Sequence, residues 1–474
     1  MSTPLVWILF PGGLAFVLYV VRNRQRGVLL TGILVAALLA FLAWKLPIGQ
    51  PISLGPLQVT LAQDLSILGR RFTIDDSSRP VLILVYLAMA FWFGGAWLAR
   101  TDRLFVPLGL GITSLFIAAL SVEPFLYAAL LIEIAAIVSV PILSPPGRPV
   151  GRGVIRFLTF QTLGMPFVLF AGYLLPQVQL NPADSTMVLR ATVLLALGFA
   201  FFMSIFPFHT WIPMVTEEAH PYAAAFVFFM LPGVIALFGL GLLERYSWMR
   251  SEPAVFQGLR YMGSAMVVIG GIWAAFQRHL GRMMGYAVVV EIGLSLLAIS
   301  LGFGPAVAAG AESPLRGIFF TLVLPRGLSL AIWGLALTAI QRQSGDLSFR
   351  AVHGVARRIP VVTTALLMAH FSLAGLPLLA GFPTHLALWS ALAAQSLPAA
   401  GAAVLGNAGL LAGGIRSLVV LTMGKEETGW RVDESWATIG LLALGCLALL
   451  LIGVFPEWFL PFLANLAQVF GPKP

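Results

Sequence analysis

Hydrophobic and polar positions alternate in long blocks along this chain. Runs of eighteen or more mostly apolar residues recur over the whole length, separated by short polar connections. As a helix, each run is long enough to cross a hydrocarbon core about 30 Å thick. Lipid offers the backbone no hydrogen-bond partners, so these runs must be helical. The pattern predicts an all-α polytopic membrane protein with about 14 transmembrane helices.

Three stretches interrupt this pattern. Residues 47–79 form the one long polar insert before residue 340, and their alternating character predicts a strand or hairpin on the outer surface. The apolar run 384–423 is too long for one span. It is predicted to hold the end of a broken helix and one full span, with the break near Pro377, Gly381 and Pro383. Residues 206–221 contain three prolines, which predicts a second broken helix or a tight turn.

Composition agrees with a membrane location. The 474 residues are 59% hydrophobic and 10% charged, whereas a soluble domain is about 25% charged. The net charge of +9 comes from 25 Arg and 3 Lys against 19 acids, and the cations are scattered in short loops. This distribution favours membrane anchoring over nucleic-acid binding. The single Cys446 excludes a disulfide within the chain.

Loop charges predict an orientation. With the N-terminus outside, sixteen cations fall on cytoplasmic connections and ten on the outer side. The positive-inside rule therefore favours both termini on the outer side of a bacterial or archaeal cell membrane. The 244–260 loop, with three Arg, fits this assignment least well.

Few ionisable side chains fall inside the apolar runs, and each is a functional candidate because charge is costly at bilayer depth. Glu133 and Glu291 are the mid-span acids, and either could carry a proton or act as a neutral, hydrogen-bonded packing acid. Arg326 lies between Pro325 and Gly327, where a local break could expose backbone groups that pair with its guanidinium. Arg416 is close enough to a helix end to snorkel.

Histidines complete the candidate set. His209 lies in the segment Phe206–Pro213 and could relay protons near neutral pH, or could satisfy backbone groups freed by the prolines. His370 and His385 flank the second predicted break. The sequence has no HExxH, CxxC, Walker, GxGxxG or haem motif, so we expect no metal site and no cofactor on this chain.

Four segments together resemble the antiporter-like membrane subunits shared by respiratory complex I, Mrp cation/proton antiporters and membrane-bound hydrogenases. The segment Phe206–Pro213, followed by Glu218-Ala219, is similar to the signature of that family. Leu131-Ile132-Glu133 resembles the glutamate site of the family's fifth helix. Gly281–Tyr286 resembles "K-R-x-x-A-Y-S", and Ser372–Phe382 resembles "S-L-A-G-I-P-P-L-A-G-F". The resemblance implies an inverted-repeat fold with a hydrated polar axis at mid-membrane.

The chain departs from the family at the lysines that the resemblance implies. Three such positions map to Phe202, Gly233 and near Leu328, and none of these residues can hold a proton. The family's Lys or Glu after "L-A-G-F" maps to His385, and its histidine after "A-Y-S" maps to Glu291. We therefore expect a degenerate or rewired proton path in which Glu133, Glu291 and His385 face one another along a wet corridor.

The resemblance implies a membrane-arm subunit of a complex I-like oxidoreductase, coupled to NADH and quinone chemistry on other chains. Its partners would be other membrane subunits and the lipid bilayer. The alternatives are an Mrp-type antiporter or inorganic-carbon-uptake module, and a non-pumping structural spacer. We expect four regions: N-terminal helices with the hairpin (1–103), a first repeat (104–243), a second repeat (244–423) and a C-terminal helix with a tail (424–474).

Overall fold

The computed structural model describes residues 2–54, 57–147, 149–181, 184–304, 315–423 and 432–470. Long helices dominate these residues. In chain order they are α1 (Phe10–Val20), α2 (Gln25–Lys45), α3 (Arg79–Ala99), α4 (Phe105–Ser121), α5 (Ala128–Leu143), α6 (Arg152–Leu180), α7 (Ser185–Phe202), α8 (Trp211–Glu218), α9 (Pro221–Arg245), α10 (Ser247–Ser251), α11 (Pro253–Phe276), α12 (Leu280–Gly302), α13 (Leu315–Thr321), α14 (Val323–Ser344), α15 (Pro360–Leu373), α16 (Gly381–Gln395), α17 (Leu397–Thr422), α18 (Trp436–Val454) and α19 (Leu460–Ala464). A π-helical turn, Leu5–Leu9, leads into α1.

The polytopic fold is confirmed. Eleven helical stretches of the described chain are long and apolar enough to cross a membrane, α13 and α14 together counting as one. Three further apolar helices are shorter, namely Leu5–Val20, Phe105–Ser121 and Pro360–Leu373. The predicted number of 14 spans thus remains a prediction. The run 384–423 divides as expected, because α16 ends at Gln395 and α17 follows as a full-length helix.

The polar insert folds as two β-hairpins and not one. Strand β1 (Pro51–Leu54) pairs antiparallel with β2 (Leu57–Thr60), and β3 (Asp64–Ile67) pairs with β4 (Arg70–Thr73). Strand β5 (Val122–Glu123), which follows α4, adds antiparallel to β4. The backbone N–H of Thr3 donates to the carbonyl of Ala62, so the N-terminus lies beside these strands. We call this side of the molecule the hairpin face.

The opposite side collects most of the loop arginines, and we call it the basic face. It is defined by the connections at 21–24, 100–104, 277–279 and 345–359. Arg342 at the end of α14 donates to the carbonyls of Leu98 and Ala99, and Arg282 pairs with Glu217 at 2.6 Å. Arg148, Lys425, Arg431 and Lys473, which entered the charge count, lie outside the described residues.

Both ends of the described chain lie at the hairpin face. The N-terminus is bonded there, and α18 starts at the basic face, where the N–H of Asp433 donates to the carbonyl of Arg358. One crossing of α18 brings the chain back to the hairpin side. The prediction that both termini lie on the outer side of the membrane remains a prediction.

Two helices are broken, as the proline pattern predicted. A loop and a short 3₁₀ turn, Phe208–Thr210, separate α7 from α8, and residues 374–380 separate α15 from α16. Helix α17 packs closely on α11 at Gly271. A Cβ on Gly271 would come within 2.3 Å of the carbonyl oxygen of Gly406, so this approach requires a glycine. This approach brings the polar side of α17 against the second break.

Candidate functional site

The second break is built from backbone geometry that suits small residues. Gly375 has φ +75, and a Cβ on it would approach the His385 ring nitrogen Nδ1 to 2.8 Å. Gly381 opens α16, and its N–H donates to the Ser372 hydroxyl at 3.2 Å. A Cβ on Gly381 would lie 1.9 Å from the carbonyl oxygen of Ser372, so only glycine fits. The break thereby places the first turn of α16 inside the bundle.

A buried ion pair lies beside this break. Nε of Arg326 on α14 donates to Oε2 of Glu291 on α12 at 2.8 Å, and the two side chains are 8% and 2% exposed. The guanidinium also donates to the backbone carbonyl of Glu291 at 2.9 Å and to the Ser295 hydroxyl at 2.6 Å. Charge-assisted bonds of this kind offset part of the cost of burying both charges.

The environment of Arg326 differs from the prediction. The helix is interrupted at Leu322, between α13 and α14, and Arg326 lies inside α14, one turn later. Its guanidinium does not pair with backbone freed at that interruption. It reaches across to α12, because the carboxylate of Glu291 is a stronger acceptor than a free carbonyl.

His385 on α16 extends the pair to a triad. Its Nε2 lies 3.5 Å from the second carboxylate oxygen, Oε1, of Glu291. Its Nδ1 faces the amide nitrogen of Asn407 on α17 at 3.0 Å, and the same nitrogen approaches the carbonyl of Ala374 at 3.4 Å. An amide that faces a carbonyl must present its NH₂ group, so Asn407 donates to Nδ1. In neutral His385 the proton is therefore on Nε2, directed at Glu291.

His370 joins this region through α17. Its Nε2 donates to the carbonyl of Leu410 at 2.9 Å, and its ring stacks on Trp333 of α14 with centroids 4.4 Å apart. Leu410 lies less than one turn beyond Asn407, so both histidines meet the same stretch of α17. His370 makes none of the contacts reported for the triad, and its ring is fully buried.

Glu133 lies elsewhere in the fold. It is buried on α5, which packs against α4, α6 and α9, and Thr162 of α6 lies near its carboxylate. Helix α9 packs against both α5 and α12, and carries Phe228 and Phe229, which stack on Trp211 and Trp92. The described contacts thus bring Glu291, Arg326 and His385 together and leave Glu133 outside that group.

His209 is buried within the first break, between α7 and α8. Its ring packs on Phe206 with centroids 5.8 Å apart. Arg416 behaves as the snorkelling hypothesis expected: it donates to the carbonyl of Ala275 near the basic face and lies over the ring of Phe349. Neither residue contacts the triad in the part of the chain that the structure describes.

The three mapped lysine positions have different surroundings. Phe202 is buried at the end of α7 and packs so closely on α6 that a Cβ on Gly164 would come within 2.7 Å of its ring. A Cβ on Gly233 of α9 would meet no atom of the described residues within 4 Å, so this position borders open space. Leu328 is buried on α14, two residues after Arg326.

Asn407 and Ser295 are site residues that the sequence argument did not identify. Both are uncharged, so the cost of burying charge does not single them out. Asn407 is the one amide side chain in α17, which is otherwise rich in Gly, Ala and Leu, and this contrast was available as a signal. The pairing of Glu291 with Arg326 has no local signal, because 35 residues separate them.

Helix α12, which carries Glu291, begins with a histidine cap at the basic face. Nδ1 of His279 accepts from the backbone N–H of Arg282 at 3.3 Å, and its Nε2 lies 3.5 Å from Asp346. Burial lowers the pKa of His279, which keeps the ring neutral and Nδ1 free to accept. A hydrogen bond from Ser348 is the main reason that the pKa of Asp346 is also lowered.

The triad can hold and exchange a proton. Arg326 stays protonated, so the titratable members are Glu291 and His385. They face each other across 3.5 Å, close enough for direct transfer after a small approach. In the described part of the chain, no three His, Cys, Asp or Glu side chains cluster as metal ligands.

Comparison of the sequence with a family model and with curated proteins finds matches to the same kind of membrane subunit. The family model described as NADH:quinone oxidoreductase/Mrp antiporter, TM, matches residues 153–411. The chain is 27% identical over 296 residues to NADH-quinone oxidoreductase subunit N of Acidithiobacillus ferrooxidans, covering 59% of this chain and 57% of that one. It is 26% identical over 423 residues to subunit 13 of Thermus thermophilus, covering 84% and 85%. The chain thus aligns with little more than half of the first relative.

Solved structures agree on the fold. A chain of respiratory complex I from Thermus thermophilus with bound NADH superposes with a TM-score of 0.74, at 22% identity and with 99% of each chain covered. A chain of the Mrp complex from a Dietzia species gives 0.81, at 18% identity, over 100% of this chain and 98% of that one. At these identities the likeness concerns architecture alone.

Proposed function

Because the chain belongs to the NADH:quinone oxidoreductase/Mrp antiporter membrane family, we propose that it is a membrane-arm subunit of a complex I-like oxidoreductase. It contributes to proton or cation translocation, and the NADH and quinone chemistry takes place on neighbouring chains. Its partners are other membrane subunits and the surrounding lipid, as in the multi-subunit assemblies that contain its structural neighbours. The chain itself carries no cofactor in this proposal.

One observation carries the proposal: a titratable carboxylate and an imidazole face each other inside the bundle, at a break in a spanning helix. In the resting arrangement Arg326 holds Glu291 ionised, and His385 presents its Nε2 proton to the free oxygen Oε1. Moving the guanidinium away removes the charge that favours ionised Glu291, so the carboxylate takes up a proton from the route that leads to it. Return of Arg326 expels that proton to Nε2 of His385. This transfer requires the tautomer in which Nδ1 carries the ring proton and donates it to the Asn407 oxygen, and the Nδ1 proton then leaves along the route beyond.

Asn407 sets the direction of the next transfer. While its NH₂ group donates to Nδ1, His385 can exchange a proton through Nε2 alone. Rotation of the amide by half a turn presents its oxygen and allows Nδ1 to carry a proton. The rewired path therefore uses Glu291, His385 and Arg326 where the family resemblance implies lysines, and His370, His209 and Glu133 remain candidates for the routes that lead to either side.

The division into two repeats is part of the proposal. Each proposed repeat has its broken helix in the same place: α7–α8 within 104–243 and α15–α16 within 244–423. A buried glutamate occupies the second long helix of each repeat, Glu133 on α5 and Glu291 on α12. The N-terminal helices (1–103) and the C-terminal region (424–474) flank this pair.

The orientation follows from loop charge. We place the basic face in the cytoplasm of a bacterial or archaeal cell and both termini outside, because the basic face carries the larger number of arginines.

A second candidate function is a cation/proton antiporter subunit of the Mrp kind, because the matching family model covers both kinds of protein. An inorganic-carbon-uptake module and a non-pumping spacer are the remaining alternatives. One experiment separates the oxidoreductase, the antiporter and the spacer. The tagged chain is purified with its native partners and reconstituted in proteoliposomes. Lumen acidification is then followed after addition of NADH and quinone, and separately after a sodium pulse.

Acidification that depends on NADH and quinone supports the oxidoreductase, and acidification driven by sodium alone supports the antiporter. In either case Glu291→Gln lowers the signal by the share of this subunit, whereas Glu457→Gln, the same change at an exposed position, leaves it intact. Acidification that Glu291→Gln leaves unchanged would support the spacer. An assembly that moves no ions under either condition would overturn the transport proposal.

A further inference from the structure

The hydrogen bonds of His370 are not those of a residue that only packs. Its Nε2 donates to the carbonyl of Leu410, so Nε2 carries the ring proton and Nδ1 is the free acceptor. That carbonyl lies inside the continuous helix α17, where the backbone N–H of Gly414 can already bond to it. Nδ1 is buried and has no hydrogen-bond partner among the described residues. Because an unpaired polar atom is costly in an apolar interior, Nδ1 indicates a role beyond packing.

Two contacts of His370 favour its protonated form. The ring stacks on Trp333 of α14, with centroids 4.4 Å apart and planes 23° apart, and the face of an indole attracts a cation at this distance. The hydrogen bond from Nε2 to the Leu410 carbonyl becomes charge-assisted, and therefore stronger, when the imidazole is charged. A proton that binds Nδ1 thus creates an imidazolium that both the indole and the carbonyl stabilise.

A row of polar side chains joins His370 to the triad. Arg326, Ser329 and Trp333 lie on one face of α14, because they are three and four residues apart. The hydroxyl of Ser329 and Nε1 of Trp333 are buried and have no hydrogen-bond partner in the part of the chain that the structure describes. Nε1 is a donor, Nδ1 of His370 is an acceptor and the hydroxyl is both. Internal water molecules can satisfy such a set.

The row continues from His370 toward the basic face. Helix α14 ends at that face, and Trp333 lies about 10 Å beyond Arg326 in this direction. On α15, which begins at the basic face, Thr363 lies two turns before His370 on the same side of the helix. On α17, Ser417 lies two turns after the carbonyl that His370 binds. Both hydroxyls are buried and donate to carbonyls of their own helices at 3.0 Å, which leaves their oxygens able to accept.

We propose that His370 is the proton carrier between the basic face and Glu291. A proton that arrives from the basic face forms a bond to Nδ1, which makes the ring an imidazolium while Nε2 keeps its bond to the carbonyl. The same Nδ1–H bond then breaks, and the proton passes through water held by Ser329 and Trp333 to the carboxylate of Glu291. The ring is neutral again after this step. This inference rests on the proposed function, because it supplies the proton that Glu291 takes up when the guanidinium moves away.

The test uses the proteoliposome acidification assay above, with the complex carrying His370→Gln. A glutamine amide can still donate to the Leu410 carbonyl but cannot carry a proton, so the signal should fall by the share of this subunit, as in Glu291→Gln. The same replacement at an exposed position, His353→Gln, should leave the signal unchanged. A fall with Glu291→Gln and none with His370→Gln would overturn this inference and leave the proposed function standing. A fall with neither variant would overturn both.

A second pair of variants tests the row without changing an ionisable group. Trp333→Phe keeps an aromatic ring beside His370 but removes the N–H group and weakens the attraction for a cation. Trp92→Phe is the matched control, because Trp92 is also fully buried, stacks on neighbouring rings and has an Nε1 without a partner among the described residues. Trp333→Phe should lower the signal, and Trp92→Phe should not. Equal effects of the two replacements would overturn the proposed row.

A measurement on the unaltered histidine separates a proton carrier from a packing residue. The full chain, with its histidines labelled with a nitrogen isotope, is placed in lipid bilayers, and magnetisation transfer from water to each imidazole is recorded by NMR. We expect transfer to the His370 ring, whose signals are identified by their absence from His370→Gln. A His370 ring that receives no magnetisation from water would overturn the inference, because a dry imidazole cannot pass a proton to either side.

Discussion

Neutralising Glu291 should destabilise the protein more than neutralising any other acid of the described chain. Two unit charges 2.8 Å apart attract by about 6 kcal/mol at an effective dielectric constant near 20. In Glu291→Gln this attraction is lost, while Arg326 keeps its bonds to the Glu291 carbonyl and to Ser295. Leaving one partner of a buried pair unmatched costs about 3–5 kcal/mol, and we expect a value near 3 because those two bonds remain.

The reverse replacement should cost less. In Arg326→Met the buried carboxylate can become neutral by taking up a proton, whereas an unpaired arginine cannot lose one. We expect Arg326→Met to cost about 1–2 kcal/mol less than Glu291→Gln. The double variant Glu291→Leu with Arg326→Met, which removes both charges, should recover most of the loss.

The assay is the free energy of unfolding in mixed micelles, obtained by titration with a denaturing detergent and completed as a double-mutant cycle. Glu133→Gln is the matched control, because Glu133 takes part in no ion pair among the described residues, and its cost should stay below about 1 kcal/mol. A cost of Glu291→Gln below about 1 kcal/mol, or strictly additive effects in the cycle, would refute the idea of a strong buried pair.

Three further outcomes are expected. Asn407→Leu should cut ion transport at least tenfold without altering the free energy that couples Glu291 to Arg326, as measured by transport and by the same cycle. In thermal unfolding, Gly233→Lys should be tolerated because its Cβ borders open space, whereas Gly381→Ala should lower the midpoint because its Cβ would meet a carbonyl 1.9 Å away. The pKa of Asp346 is lower in the folded protein than its ordinary value, so its ionised form stabilises the fold at any pH above that ordinary value. This stabilisation is lost as the pH falls through the pKa of the folded state. Asp346→Asn should remove that acid-dependent part of an unfolding curve measured between about pH 5 and 2.

Much of the fold follows from the sequence, because lipid offers the backbone no hydrogen-bond partners and an apolar segment of spanning length must therefore be helical. Apolar run length predicted the spanning helices, and prolines with glycines predicted both breaks. Pairing within the 47–79 insert was less certain, since short strands have weak patterns, and it formed two hairpins where one was expected. The number of spans is hard to predict because three of the described helices are apolar but shorter than a full crossing.

The candidate site was predicted as a set of residues and not as an arrangement. The cost of burying charge identified Glu291, Arg326, His370 and His385 one by one, yet nothing in a single sequence says which of them touch. Contact depends on how α12, α14 and α16 meet across the second break. The same limit explains why Glu133 was expected in one corridor with Glu291, whereas the described contacts place it against α6.

The positions that the resemblance maps to family lysines show that a single-position match can miss a nearby charged residue. Alignment of single positions gave Leu328 at the third site, but a helix brings neighbouring positions to different faces, and Arg326 supplies the cation that meets Glu291. Phe202 is firmly packed and leaves no room for a charged side chain. Gly233, which the resemblance maps to a family lysine, borders open space in the described part of the chain.

The central claim is that the Glu291–His385 pair carries the translocated proton. The most direct measurement is the number of protons moved per NADH oxidised, in proteoliposomes that contain the complex with His385→Gln. The matched control is His353→Gln, the same replacement at an exposed histidine of the basic face. We expect His385→Gln to lower that number by the share of this subunit, while His353→Gln leaves it unchanged because His353 is no part of the proposed path. An unchanged number in His385→Gln would contradict the account.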